Sequence, residues 1–308
     1  MALLLLSILL CFFTAADAAR SPATALFVLG DSTVSCAASN SILPLNLTAP
    51  SLSAAGPWAS LRFPPSPPST ARRPPPPGAS TSAAAVFVLS FGTDAYARLL
   101  ARRPAEADAA APKHGRRGLA RLLADRIARA VSELYEAEVR RVAVMGVAPL
   151  GCAPRVMLEG TRALDGGGGA GHGCVEEANE LIQGYNARVA ARLEELRPQL
   201  PGADVVFCDV YKGMMEIISN PGRYGLVETR EACCGLGPFK ATVGCLSKEM
   251  ACAAPERHVW WDLYSPTAAV DALVANWSWS SSPAAASCDS KTMMMSICSP
   301  ISLQQLAG

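Results

Sequence analysis

The tripeptide Gly30-Asp31-Ser32 follows a short apolar run, Ala25 to Leu29, and puts a hydroxyl just past a strand end, where a helix should begin. A serine placed there is exposed, sits in the field of a helix amino terminus and has backbone N–H groups nearby for an oxyanion. That setting suits nucleophilic attack on a carbonyl. On these three residues alone the commoner reading is a plain helix N-cap. Two other stretches follow strand-like runs and carry polar groups: Gly92-Thr93-Asp94 and Asp262-Leu263-Tyr264-Ser265. A free hydroxyl is a poor nucleophile near neutral pH and needs a base to take its proton as it attacks. The chain has three histidines, His114, His172 and His258. His258 opens the run that Asp262 ends, about 13 Å away at the usual rise of a strand, and so belongs to the wrong end of a sheet. His172 lies in a glycine-rich loop and His114 before a helix, and both read as surface residues. No His/Asp/Glu cluster has ligand spacing, so no metal and no other cofactor is expected.

The elements that would position these groups alternate along the chain. Ala25 to Leu29, Ala85 to Leu89, Arg141 to Met145, Val205 to Phe207 and His258 to Asp262 are short, β-rich and apolar, and read as five strands. Between them, Leu119, Leu122, Leu123, Ile127, Val131 and Leu134 recur at helical spacing, as do Val175, Ala178, Ile182, Tyr185, Val189, Leu193 and Leu196. Pro198 ends the second helix. Tyr211 to Ser219 reads as a short helix, and Pro266 to Asn276 as another with proline in its first turn. Strands alternating with helices imply a parallel sheet covered on both faces, and about five strands fit a flavodoxin-like, doubly wound α/β fold. In such sheets ligands sit beyond the carboxyl ends of the strands, where the three polar stretches fall.

Composition sets the compartment. Leu3 to Phe13 is an apolar run, and Ala16-Asp17-Ala18 supplies small residues before a cleavage point after Ala18. That is the layout of a secretory signal peptide, and the run is short of the roughly 20 residues of a membrane span. The chain divides into a leader 1–18, a single domain 19–280 and a C-terminal tail 281–308. Ten cysteines follow the leader, an even count that favours disulfides in an oxidising compartment. Cys152 and Cys174 flank a glycine-rich loop and are expected to pair, as are Cys288 and Cys298. Asn46-Leu47-Thr48 and Asn276-Trp277-Ser278 are glycosylation sequons. A net charge of +1 offers no field to gather nucleic acid. Nine of the 24 prolines lie between Pro57 and Pro77. A segment of about 56–84 therefore reads as a PPII-like linker or as disorder.

Taken together, Phe27-Val28-Leu29-Gly30-Asp31-Ser32, Gly146-Val147-Ala148-Pro149-Leu150-Gly151-Cys152, Gly173-Cys174-Val175-Glu176-Glu177-Ala178-Asn179, Asn220-Pro221-Gly222-Arg223-Tyr224-Gly225, Ala232-Cys233-Cys234-Gly235 and Trp261-Asp262 resemble the plant-type GDSL esterases and lipases of the SGNH hydrolase superfamily. The resemblance runs in family order over about residues 24–48 and 85–276. It implies acyl transfer to water: Ser32 as nucleophile, Asp262 as the orienting carboxylate, and an oxyanion held by the Ser32 N–H, Gly92 and the residue at Asp94. Two positions depart from the pattern. Ser265 stands where the family has its histidine base, and Asp94 where it has a neutral asparagine donor. The family's glycine block has no match and should fall near the proline-rich segment, and one reading has a strand–helix unit missing there. The resemblance also implies a secreted monomer, without a membrane span, that meets a small-molecule ester or lipid in the cell wall or apoplast.

Three readings follow: an ester hydrolase with activity reduced or absent, a non-catalytic secreted binding protein on the same scaffold, and a chain that has lost a core unit between residues 49 and 84. Limited proteolysis is expected to cut first at Arg62, Arg72 or Arg73. Resistance there while other loops are cut would show a packed segment instead.

Overall fold

The computed structural model describes residues 22–31, 84–100, 115–164, 173–280 and 295–308. The expected leader 1–18, Ser32, the proline-rich segment up to residue 83, His114, His172 and Cys288 lie outside them. In chain order the elements are β1 (Ala25–Gly30), β2 (Ala85–Ser90), α1 (Thr93–Leu100), α2 (Gly115–Glu136), β3 (Arg141–Met145), α3 (Pro154–Leu164), α4 (Glu176–Leu196), β4 (Asp204–Cys208), α5 (Val210–Ser219), β5 (Glu228–Ala232), β6 (His258–Trp260), α6 (Ala268–Trp279), β7 (Cys298–Ser299) and α7 (Leu303–Ala307).

The main sheet has five strands in the order β1-β2-β3-β4-β7. The first four are parallel and the last is antiparallel to β4. Strand alternation sorts the side chains. Val86, Val88, Ala143, Met145 and Val206 face Met214 and Ile217 of α5 and Val270, Val274 and Trp277 of α6. Leu89, Val142, Val144, Val205 and Phe207 face Ile127 and Val131 of α2 and Ile182, Tyr185, Val189 and Leu193 of α4. Both faces are covered, as a mostly parallel sheet of apolar strands requires. Among the described residues β1 has a neighbour on one side only. Phe27 and Leu29, on its α2/α4 face, are 48% and 44% exposed, although the Phe27 ring stacks on Phe87 with centroids 4.8 Å apart.

The fifth expected strand is placed differently. His258–Trp260 leaves the main sheet and pairs with Glu228–Ala232 in a small parallel ribbon. The charged sequence of β5, Glu-Thr-Arg-Glu-Ala, carries no apolar alternation, so its partner looked like part of the main sheet. Cys298–Ser299 takes the fifth place instead. Residues 295–308, within the stretch marked as a tail, are thus part of the core: Ile297, Leu303, Leu306 and Ala307 are buried, and α7 starts on a capping box between Ser302 and Gln305. Pro266 lies two residues before the first turn of α6, because the Thr267 hydroxyl donates to His258 O at 2.7 Å and the helix begins at Ala268.

Four disulfides are formed among the described residues. Cys152–Cys174 is present as expected. The pairing of Cys298 with Cys288 is overturned: Cys298 is bonded to Cys208, directly opposite it in the β4–β7 register. Cys233–Cys252 and Cys234–Cys245 tie down the segment around the small ribbon.

Among the described residues three buried side-chain atoms lack a hydrogen-bond partner, Tyr96 Oη, Arg230 Nε and Asp271 Oδ1, and the last belongs to a carboxyl group. Asp271, in the first turn of α6, is 4% exposed, and its Oδ1 has no hydrogen-bond partner. Burial raises its pKa well above the usual carboxylate range. In the unfolded chain the same group ionises near pH 4, at about 3.9. Between those two values the folded state binds more protons than the unfolded one, so this group's contribution to stability is complete below about pH 4 and is lost as pH rises through the folded value. Asp271→Asn is therefore expected to raise the melting temperature at pH 7, by roughly 2–4 °C for each kcal/mol of relief, and to leave it little changed at pH 4. Melts across that range with parallel slopes for parent and variant would refute this account.

Candidate active site

At the carboxyl ends of β1 and β2 the two strands are joined by one carboxylate. The Asp31 N–H donates to Ser90 O at 3.0 Å, and Asp31 Oδ2 accepts from the N–H groups of Gly92 and Asp94 at 3.0 and 3.1 Å. Those groups open α1, so Asp31 lies where the positive end of the helix field favours an anion. Gly92 has φ +121°, a conformation that disfavours a side chain, and a Cβ there would lie 2.9 Å from the Tyr185 hydroxyl. That hydroxyl donates to Phe91 O at 2.7 Å. Burial and the nearby Asp31 raise the Tyr185 pKa strongly, burial first, so the phenol remains a donor.

The segment after β3 is held from the same helix. Asn186 accepts from Val147 N and donates to Val147 O, both at 2.9 Å. Two turns earlier on α4, Asn179 Oδ1 accepts from Gly151 N at 2.9 Å. Gly151 is required by crowding, since a Cβ would lie 2.3 Å from Val175 O. The Cys152–Cys174 disulfide closes the same corner.

Asp262 and Ser265 come together in a tight turn beyond β6. Asp262 Oδ1 accepts from Tyr264 N at 3.0 Å and from Ser265 N at 2.8 Å, and Ser265 O accepts from Trp261 N at 2.8 Å. The turn is joined to the end of β3 through the first residues of α3, where Arg155 N donates to Leu263 O at 3.2 Å. In turn α1 packs on α3 and on the Leu150–Cys152 turn, so both halves of the site rest on the segment following β3. Burial pushes the Tyr264 phenol up to about 12, with Arg155 opposing. His258 is engaged elsewhere: its Nδ1 lies 3.0 Å from Ala254 O and 3.6 Å from Cys252 Sγ. Cys233, Cys252 and His258 are close enough to share an ion, but the two sulfurs are joined in a disulfide and have no thiolate to give a metal.

Of the residues singled out from sequence, the fold brings Asp31, Gly92 and Asp94 together in one cluster and Asp262 and Ser265 in another. Ser32 follows Asp31 directly and lies outside the described residues. The Gly92 N–H, assigned to an oxyanion by resemblance, donates to Asp31. Sequence reasoning took Tyr185 for a core residue and gave Asn179 and Asn186 no structural task. Two asparagines seven residues apart on an otherwise apolar helix stripe were the available signal.

With this geometry in place, comparison with known proteins is decisive about kinship. The sequence pattern of the GDSL-like Lipase/Acylhydrolase family matches residues 68–278, and the chain belongs to that family. The matched span contains Gly92, Asp94, Asp262 and Ser265 and begins after Ser32. The chain is similar to the GDSL esterase/lipase EXL3 of Arabidopsis thaliana, 35% identical over 147 residues, which are 47% of this chain and 38% of the relative. It is also similar to GDSL esterase/lipase 7 of the same plant, 31% identical over 155 residues, 50% of this chain and 41% of the relative. The chain thus spans well under two thirds of the curated relatives it matches.

Removing the Asn179 amide leaves a buried backbone N–H at Gly151 without its acceptor. Asn179→Ala is expected to cost about 1–3 kcal/mol in urea unfolding, the penalty for a buried unsatisfied donor. Tyr185→Phe, which strands the Phe91 carbonyl, should cost about 1 kcal/mol. A loss below about 0.5 kcal/mol for Asn179→Ala, the level of an ordinary surface change, would show that water replaces the amide.

Proposed function

We propose that the chain is a secreted ester hydrolase by descent, built to use Ser32 as nucleophile on a carboxylic ester or lipid, with activity reduced or absent. The observation that carries this reading is the Asp262 turn. The carboxylate that should orient an imidazole instead accepts from the backbone N–H groups of Tyr264 and Ser265. At the third position after Asp262 stands a hydroxyl, which cannot take a proton from Ser32 near pH 7. Two features on the oxyanion side support the same conclusion. By the resemblance Asp94 puts a carboxylate where charge would develop during attack, and the Gly92 N–H is directed at Asp31. The leader and the disulfides support secretion, and the exposed position of Asn276 suits its sequon to glycosylation.

A second reading, a non-catalytic binding protein on the same scaffold, is favoured by one specific feature. Both carboxylates of the site, Asp31 and Asp262, are engaged in holding backbone, so the region is ordered without any substrate.

The test is a set of proteins assayed on a short-chain p-nitrophenyl ester: the parent, Ser265→His, Asp94→Asn and the double variant. Loss of one triad member typically costs on the order of 10⁴ to 10⁶ in kcat, and loss of an oxyanion donor about 10² to 10³. The parent should turn over little or nothing. The double variant should gain the most, and Ser32→Ala should abolish that gain. Strong Ser32-dependent turnover by the parent would refute the weakened site. A well-folded double variant without any gain would point to the missing glycine block instead.

A further inference from the structure

Between β5 and β6 the chain makes a tight hairpin from Gly235 to Leu246. Leu236 and Val243 face each other across it in an antiparallel bridge, with Leu236 N donating to Val243 O at 3.0 Å and Val243 N to Leu236 O at 3.3 Å. Gly235, at φ +143°, admits no side chain, since a Cβ would lie 2.1 Å from Lys240 O. The Cys234–Cys245 disulfide clamps the base. Arg155 Nη1 donates to the carbonyls of Ala241 and Thr242 at 3.2 and 3.3 Å. The same residue's N–H holds Leu263 in the Asp262 turn, and Leu263 lies within 3.4 Å of a Cβ position at Gly244. The hairpin is cross-linked at its base and joined through Arg155 to the Asp262 turn.

On this clamped support three aliphatic side chains are left in solvent: Leu236 is 54% exposed, Val243 38% and Leu246 45%. A cross-linked loop that keeps apolar groups exposed, beside a candidate site, has the character of an interaction surface. Its chemistry narrows the partner. The hairpin's aromatic residue, Phe239, is half-buried with the Arg230 guanidinium 5.3 Å from its ring centre. No aromatic or arginine anchor of the sort that dominates protein–protein contacts is therefore presented. From residue 235 to 248 the charges are Lys240 and Lys248, with no acid before Glu249. Aliphatic tips flanked by lysines match an acyl-chain layer beneath polar or anionic headgroups.

We propose that the Gly235–Leu246 hairpin docks on the surface of a lipid assembly, with Leu236, Val243 and Leu246 entering the acyl layer and Lys240 and Lys248 at headgroup level. Docking there would hold the Asp262 turn against material presented by that surface. The proposal rests on the ester-hydrolase reading for its purpose and not for its evidence, because its test reads binding rather than turnover.

The experiment is flotation of the full secreted protein with vesicles of phosphatidylcholine, with and without phosphatidylglycerol. The parent should float with both, and more strongly with the anionic vesicles. Leu236→Ser/Val243→Ser/Leu246→Ser should bind both on the order of tenfold or more weakly, from the combined loss of three partly inserted aliphatic side chains. Lys240→Ala/Lys248→Ala should weaken binding to the anionic vesicles alone. Leu246→Trp, in a protein that melts like the parent, should show a blue shift of the added emission when vesicles are supplied, whether or not the triple variant folds. The proposal is overturned if the parent floats with neither vesicle, if a folded triple variant floats undiminished, or if the added tryptophan shows no shift. A surface that instead recognises another protein would give that first result.

Discussion

Helix α4 carries the constraint on which the candidate site depends. From one buried stripe it extends Asn179, Tyr185 and Asn186 into two backbone segments at the carboxyl ends of the parallel strands. Each bond satisfies a group that no strand or helix ladder can reach. Buried backbone donors and acceptors without partners are costly, so loops at the core's edge are held where side chains can serve them. The crowding at Gly92 and Gly151 is the steric counterpart, since the helix approaches closely only where a side chain is absent. The turn after β2 and the segment after β3 are thereby placed by one element, and α1, α3 and the Asp262 turn are arranged upon them.

The two acids of the site act in similar ways. Asp31 joins β1 to the first turn of α1, and Asp262 closes the turn that contains Ser265. Each carboxylate accepts two backbone N–H groups, an arrangement that satisfies a partly buried anion. In a serine hydrolase one carboxylate has to orient a base. Here the residue three positions beyond Asp262 has no ring for it to orient, and the turn is complete without one. On the proposed reading, family descent and chemical capacity separate in this protein, at Ser265 and Asp94.

Disulfides do what the core does not. Around the small ribbon few large apolar side chains are buried apart from Val259 and Trp260, and two cross-links from adjacent cysteines, Cys233 and Cys234, compensate. A clamp of this kind narrows the unfolded ensemble of a poorly packed segment. It also leaves the hairpin free to carry exposed Leu236, Val243 and Leu246, which a loop held by packing alone would have to bury.

Much of this protein was legible in the chain. Alternation and helical spacing marked four of the five main strands and the two long helices, because apolar residues must face the core with the period of their element. The motif around Gly30-Asp31-Ser32, the run from Gly146 to Cys152 and the Trp261-Asp262 pair pointed to the family. Cys152 and Cys174 could be paired because they flank one loop. What only the tertiary structure decided were pairings between distant segments. Cys298 meets Cys208 because a two-residue antiparallel strand reaches β4, and nothing local announces so short a strand. His258–Trp260 turned to β5 because the charged sequence of that partner hides its strand. Asn179, Tyr185 and Asn186 became the pins of the site because folding brought bare backbone groups within their reach, and a sequence does not show where unsatisfied backbone will lie.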